Sequence, residues 1–177
     1  MPLCLAKSYC KKRLIAEVSF NCFFFPPQVG SKGVGVISLS KSGDLSLSIA
    51  SYLPDVEATV WINGCSANTL LPLYYKKSQI LPALMLDVSK MISTESGAVI
   101  CKDVMHNPLA EENKATLVPI ERAKGRFLFV ASEDDLNWDS KAYMDEMVER
   151  LRRHGRENFE SVSSTCGRRS RSSSQPT

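Results

Sequence analysis

Residues 34–53 read V-G-V-I-S-L-S-K-S-G-D-L-S-L-S-I-A-S-Y-L. A short apolar run, Val34 to Leu39, stops at Ser40-Lys41-Ser42-Gly43. Beyond it Leu45, Leu47, Ile49, Ala50 and Leu53 recur at roughly helical spacing. The stretch predicts a strand, a sharp turn with a serine at its apex, and a helix over 44–53. That layout is a nucleophile elbow. The turn holds a serine hydroxyl clear of both elements and aims backbone N–H groups, that of Lys41 first, at the place where an oxyanion forms. The usual elbow has a glycine two residues to either side of the serine. Here Ser38 and Ser42 stand in those places, and a glycine follows one position later, at Gly43. The same residues also suit an ordinary strand-to-helix connection with a serine-rich N-cap. Spacing alone leaves both readings open.

Working outward, residues 57–63 (E-A-T-V-W-I-N) read as a second strand, bounded by Pro54-Asp55 and by Asn63-Gly64. Residues 126–131 (R-F-L-F-V-A) read as a third. Residues 139–154 form an amphipathic helix pattern, with Met144, Met147, Val148 and Leu151 on one face and Gly155 as its stop. The two methionines on that face read as core packing. Pro72, Pro82 and polar clusters make 65–95 a region of loops and short turns. Residues 98–105 read as a short helix stopped before Pro108. Strands alternating with helices predict an α/β fold, a mainly parallel sheet flanked by helices.

Composition fits one globular domain: 177 residues, 44% apolar and 23% charged. A net charge of +3 is too small to argue for nucleic acid as a partner. The six cysteines form no C-x-x-C pair and none has a histidine at ligand spacing, so no metal site is expected. They read as reduced thiols of an intracellular protein. Lys7, Lys11, Lys12, Arg13 and Glu17 interrupt the apolar N-terminus. No segment approaches the roughly 20 apolar residues of a membrane span.

The elbow resembles that of the acyl-CoA thioesterases and bile acid-CoA:amino acid N-acyltransferases, one family with an α/β-hydrolase catalytic domain. The resemblance continues through V-E-A-T-V-W-I-N-G (56–64), H-N-P-L (106–109) and L-V-P-I-E-R-A-K-G-R-F-L-F-V (117–130). It closes on E-D-D-L-N-W-D-S-K-A-Y (133–143) and E-R-L-R-R-H-G (149–155). It implies a partial α/β-hydrolase domain over 29–160, preceded by a non-homologous segment (1–28) and followed by a disordered Ser/Arg-rich tail (161–177). It implies an acyl-CoA substrate, coenzyme A as the leaving group, no other cofactor, and a cytoplasmic or peroxisomal location. Gln175-Pro176-Thr177 is not an S-K-L-type peroxisomal address.

By this resemblance Ser40 matches the nucleophile, Asp135 the acid of a Ser-His-Asp triad, and the Lys41 N–H an oxyanion donor. The family's histidine, in a Y-P-x-x-G-H segment after the last helix, has no counterpart here. The chain's two histidines do not replace it: His106 reads as a turn residue, and His154 as a helix-terminal residue bonding the last carbonyls. Asp134 and Asp135 also suit a charge pair ahead of the last helix. Three outcomes stay open: acyl-CoA hydrolysis through Ser40 impaired by the missing base, transfer of the acyl group to an amino acid, and a product without catalysis.

Overall fold

A computed structural model describes residues 3–5 and 33–165. Five strands form one parallel sheet in the order of the chain: β1 (Leu3–Leu5), β2 (Val34–Leu39), β3 (Val56–Ile62), β8 (Arg126–Ser132) and β9 (Phe159–Ser164). Helix α1 (Ser42–Tyr52) links β2 to β3, and α2 (Ser140–Arg153) links β8 to β9. Between β3 and β8 lie two small antiparallel hairpins. One pairs β4 (Leu73–Tyr75) with β5 (Ser78–Leu81), the other β6 (Ile92–Ser93) with β7 (Val99–Ile100).

Each strand expected within 34–131 is present to within a residue at either end, because each is a short apolar run closed by turn residues. Register sets the two faces of the sheet. Val36, Thr59 and Phe127 lie side by side, as do Ser38, Trp61 and Phe129, and all six are buried. Trp61 meets Phe129 edge-on, with centroids 6.1 Å apart. Leu47 of α1, Met147 and Leu151 of α2 and Ile120 join them in one core. On the opposite face Ile37, Val60, Ile62, Leu128 and Val130 are only half buried, and Leu39 is exposed. Helix α1 is rich in serine yet buried, because its hydroxyls turn back on the helix. Ser48 donates to Asp44 O (2.7 Å) and Ser51 to Leu47 O (2.7 Å).

Several expectations are corrected. The helix over 98–105 is absent: Val99–Ile100 is strand, paired with Ile92–Ser93 across a turn whose Gly97 has φ +80°. Cross-strand pairing outweighs the weak helical pattern there. The fold does not stop at Glu160, since β9 runs on to Ser164 in parallel register with β8. Its residues are mostly exposed, as suits an edge strand, so no apolar pattern announces it. The rest of the Ser/Arg-rich tail, from 166, lies outside the described residues. Within the segment 1–28, Leu3–Leu5 pairs with Gly35–Ile37 along the edge of β2. The other residues of that segment are not described. Hairpin β4–β5 turns through Lys76 (φ +46°) and Lys77 (φ +67°), the two left-handed residues of a tight hairpin, without the glycine or asparagine that would flag it in a sequence.

Candidate active site at the sheet edge

Three loops meet at the C-terminal edge of the sheet. Ser40 follows β2, Asn63 follows β3, and Asp135 follows β8. Ser40 has φ +57°, left-handed for a residue with a side chain. Such a turn stores about 1–3 kcal/mol of strain, so the surroundings must impose it. They do so through backbone bonds, Ser40 N to Ile62 O (2.9 Å) and Gly43 N to Ser40 O (2.8 Å). Side chains complete the turn. Ser42 Oγ donates to Leu39 O (2.8 Å) and accepts from Leu39 N (3.1 Å). Ser38 Oγ lies 2.6 Å from Ser46 Oγ and donates to Val60 O (3.1 Å), tying strand to helix. The serines that replace the usual glycines are therefore fully bonded. Close packing falls to Gly43 instead, where a Cβ would come within 2.6 Å of Trp61 Nε1.

Lys41 opens the first turn of α1, where backbone N–H groups have no intrahelical acceptor. Its N–H therefore remains available beside Ser40. The Lys41 ammonium turns inward, 2.5 Å from Asp44 Oδ2. That same oxygen accepts from Thr69 N (2.9 Å) and Thr69 Oγ1 (2.8 Å), in a buried cluster behind the elbow. Cys65 lies near it, and burial pushes its thiol up to about 12, with the Asp44 charge adding to the effect. It is an inert thiol.

Asp135 is half exposed, Asp134 exposed. Asp135 Oδ1 accepts from Asn137 N (2.9 Å) and Trp138 N (3.3 Å), and Oδ2 accepts from Ser140 Oγ. Asp135 thus organises the turn ahead of α2. A carboxylate has about four acceptor positions, so one remains. The turn aims Trp138 at the elbow: its Nε1–H donates to Ser40 Oγ over 3.0 Å. Ser40 and Asp135 are brought together through this tryptophan. Sequence reasoning passed over both Trp138 and the Asp44 cluster. Trp138 lies inside a matched motif, but only tertiary structure shows which atom it reaches.

Neither histidine joins the site. His154 lies at the far end of α2, its Nδ1 2.8 Å from Arg150 O, as expected of a helix terminus. Fourteen helical rises separate it from Ser140 at the start of α2, about 21 Å. His106 is exposed and its N–H bonds Met85 O (3.1 Å). Among the described residues no cluster of three or more His, Cys, Asp or Glu could hold a metal, and no helix is long and apolar enough to cross a membrane.

Comparison with known proteins matches residues 18–167 to the family described as BAAT / Acyl-CoA thioester hydrolase C terminal. The chain belongs to this family. Among its relatives, acyl-coenzyme A thioesterase 6 of Homo sapiens is 44% identical over 131 residues, which cover 74% of this chain and 31% of that protein. The Mus musculus acyl-coenzyme A thioesterase 6 is 46% identical over 132 residues, covering 74% and 30%. The mitochondrial acyl-coenzyme A thioesterase 2 of Homo sapiens is 38% identical over 140 residues, covering 79% and 29%. The chain thus spans about a third of the length of these relatives. The fold is that of the α/β-hydrolases. Two acylaminoacyl peptidase structures superpose with TM-score 0.52. One, bound to Z-Gly-Gly-Phe-chloromethyl ketone, is 15% identical, covering 87% of this chain and 23% of its own. The other, from Pyrococcus horikoshii, is 18% identical, covering 84% and 22%.

Proposed function

We propose that this chain carries the serine part of an acyl-CoA thioesterase centre. Ser40 Oγ attacks the thioester carbonyl, and the Lys41 N–H bonds the oxygen that becomes an oxyanion. The C–S bond breaks, the proton from Ser40 ends on the departing coenzyme A thiolate, and an acyl-serine remains. Water then cleaves that ester, giving a free acid and returning the proton to Ser40. Coenzyme A enters only as part of the substrate, and the scheme needs no other cofactor. The observation that carries the reading is the left-handed Ser40 at a strand–helix turn, in a chain of this family.

The weak point of the centre is its base. Indole donates and does not accept, so Trp138 cannot take the Ser40 proton; His154 is held against Arg150 O at the end of α2, and His106 is exposed on a loop. Loss of a triad base costs about 10⁴–10⁶ in rate. Hydrolysis by this polypeptide alone should be slow by that factor. A serine at position 40 favours water over an amino acid as acceptor, since the conjugating branch of the family often has cysteine there.

Labelling by a fluorophosphonate probe, with thiol release from an acyl-CoA in parallel, separates the readings. Slow labelling and slow release that Ser40→Ala abolishes support the serine centre. A folded chain that takes no label would refute it. Release within about tenfold of an ordinary enzyme would show that another group acts as base.

A further inference from the structure

Leu70 has φ +69°, in the left-handed region that a bulky apolar residue seldom enters. The Leu71 N–H donates across it to Thr69 O (2.9 Å). A positive φ at the centre of such a bond makes the rare, strained form of the γ-turn. Glycine would adopt it freely. Leu70 is 46% exposed, so burial does not account for the leucine either. Strain of this kind persists only where the surroundings over-determine it. Here both flanks are held. Asn68 Nδ2 donates to Leu71 O (2.9 Å) and to Pro82 O (2.9 Å). Asn68 O accepts from the N–H of the fully buried Leu84 (2.7 Å). The N–H and hydroxyl of Thr69 both end on Asp44 Oδ2.

The turn is tied to the elbow at two points. The loop leaves β3 at Gly64, where a Cβ would come within 2.9 Å of Ser40 O. It returns at Thr69, through the same Asp44 oxygen that holds the Lys41 ammonium at 2.5 Å. Cys65 to Thr69 are all buried in between. Lys41 bears the N–H assigned to the oxyanion. A loose Thr69 would loosen Asp44, and with it the residue that carries this donor. Leucine and glycine differ here in stiffness. Glycine populates both signs of φ, so it would let Thr69 drift. A leucine seated in the left-handed well has little allowed space around it.

We propose that Leu70 is a positioning residue of the serine centre. Its strained turn holds Thr69 on Asp44, and Asp44, through the Lys41 ammonium, steadies the Lys41 N–H beside Ser40. The inference rests on the serine reading given above and adds to it a residue that acts only through others.

Leu70→Gly in the full chain tests it. Removal of the strain should leave the urea midpoint equal or higher. The maximal rate of Ser40 labelling by a fluorophosphonate should nevertheless fall about 3–10-fold, short of the roughly 10²–10³ lost with an oxyanion donor. The half-saturating probe concentration should stay the same. A residue that serves stability alone would move midpoint and rate together. Asparagine tolerates the left-handed region, so Leu70→Asn should restore most of the rate. Amide hydrogen exchange at Thr69, followed by NMR, should speed about 2–5-fold in Leu70→Gly, from the added freedom of glycine. Unchanged labelling in Leu70→Gly overturns the inference, as does a loss that Leu70→Asn does not recover. Exchange at Thr69 is independent of chemistry at Ser40, so unchanged exchange overturns the inference whether or not Ser40 takes label. Faster exchange with no label on the unaltered chain would count against the proposed reaction alone.

Discussion

Trp138 Nε1–H donates to Ser40 Oγ across 3.0 Å, and the backbone N–H of the same tryptophan donates to Asp135. One residue thus joins the loops after β2 and β8. The indole fixes the oxygen of the hydroxyl and leaves its hydrogen free to point away from the ring. It also favours negative charge on that oxygen. Trp138→Phe keeps a ring and removes the donor. Fluorophosphonate labelling of Ser40 at pH 9 should slow about 3–10-fold, with little change in the urea midpoint. Equal labelling rates would make this bond idle.

Asp44 Oδ2 holds Lys41 and both donors of Thr69. Asp44→Ala leaves the buried Thr69 N–H unpaired, at about 1–3 kcal/mol. The Lys41 side chain is 29% exposed and can rehydrate, so its loss adds less. A total of about 2–3 kcal/mol is expected from urea unfolding. Thr69→Val, which spares the ion pair, should cost about 1 kcal/mol. Equal costs would mean that the ion pair contributes nothing.

Alanine raises helix propensity over glycine by about 1 kcal/mol. At position 43 that gain should be outweighed. The new Cβ would stand 2.6 Å from Trp61 Nε1 and 2.9 Å from its Cδ1, and Trp61 is wholly buried. Overpacking of this kind costs about 1–3 kcal/mol. Thermal unfolding of Gly43→Ala should occur below that of the unaltered chain, with labelling of Ser40 reduced because the elbow shifts. A stabilised variant would contradict the helix–strand contact.

Burial raises the Glu146 carboxyl above its ordinary value, and Arg150 only partly offsets this. The folded state therefore holds this proton more tightly than the unfolded chain. Its contribution to stability is complete below the unfolded value and is lost as pH rises through the higher folded one. Urea midpoints between pH 4 and 8 should show a declining component for the unaltered chain relative to Glu146→Gln. A constant difference across that range would place Glu146 in water.

The elements that set the sheet were legible because burial wrote them into the sequence. Val34–Leu39, the Trp61 strand and the Phe127–Phe129 strand are apolar runs with turn residues at their ends. The Met144–Leu151 stripe marked α2 in the same way. Strand β9 was not legible, since an edge strand of F-E-S-V-S-S satisfies its backbone against β8 and needs no apolar face. Within the site, Ser40 and the Asp135 loop were legible as motifs. The Trp138–Ser40 bond was not, as it spans 98 residues of chain. The same holds for Ser38 and Ser42: as letters they weakened the elbow motif, while as bonded hydroxyls they hold it.

Strand β9 leaves the sheet at the same edge as Ser40. Ser164 lies beside Ser132, and its carbonyl accepts from Glu133 N at 3.1 Å, one residue before the acidic loop. Three strand spacings separate β9 from β2, roughly 14 Å. About five extended residues cover that span. The sheet therefore works as an address system in which a side chain reaches the serine by the edge from which it is delivered. A side chain grafted a handful of residues past Ser164 would start from the right edge to approach Ser40.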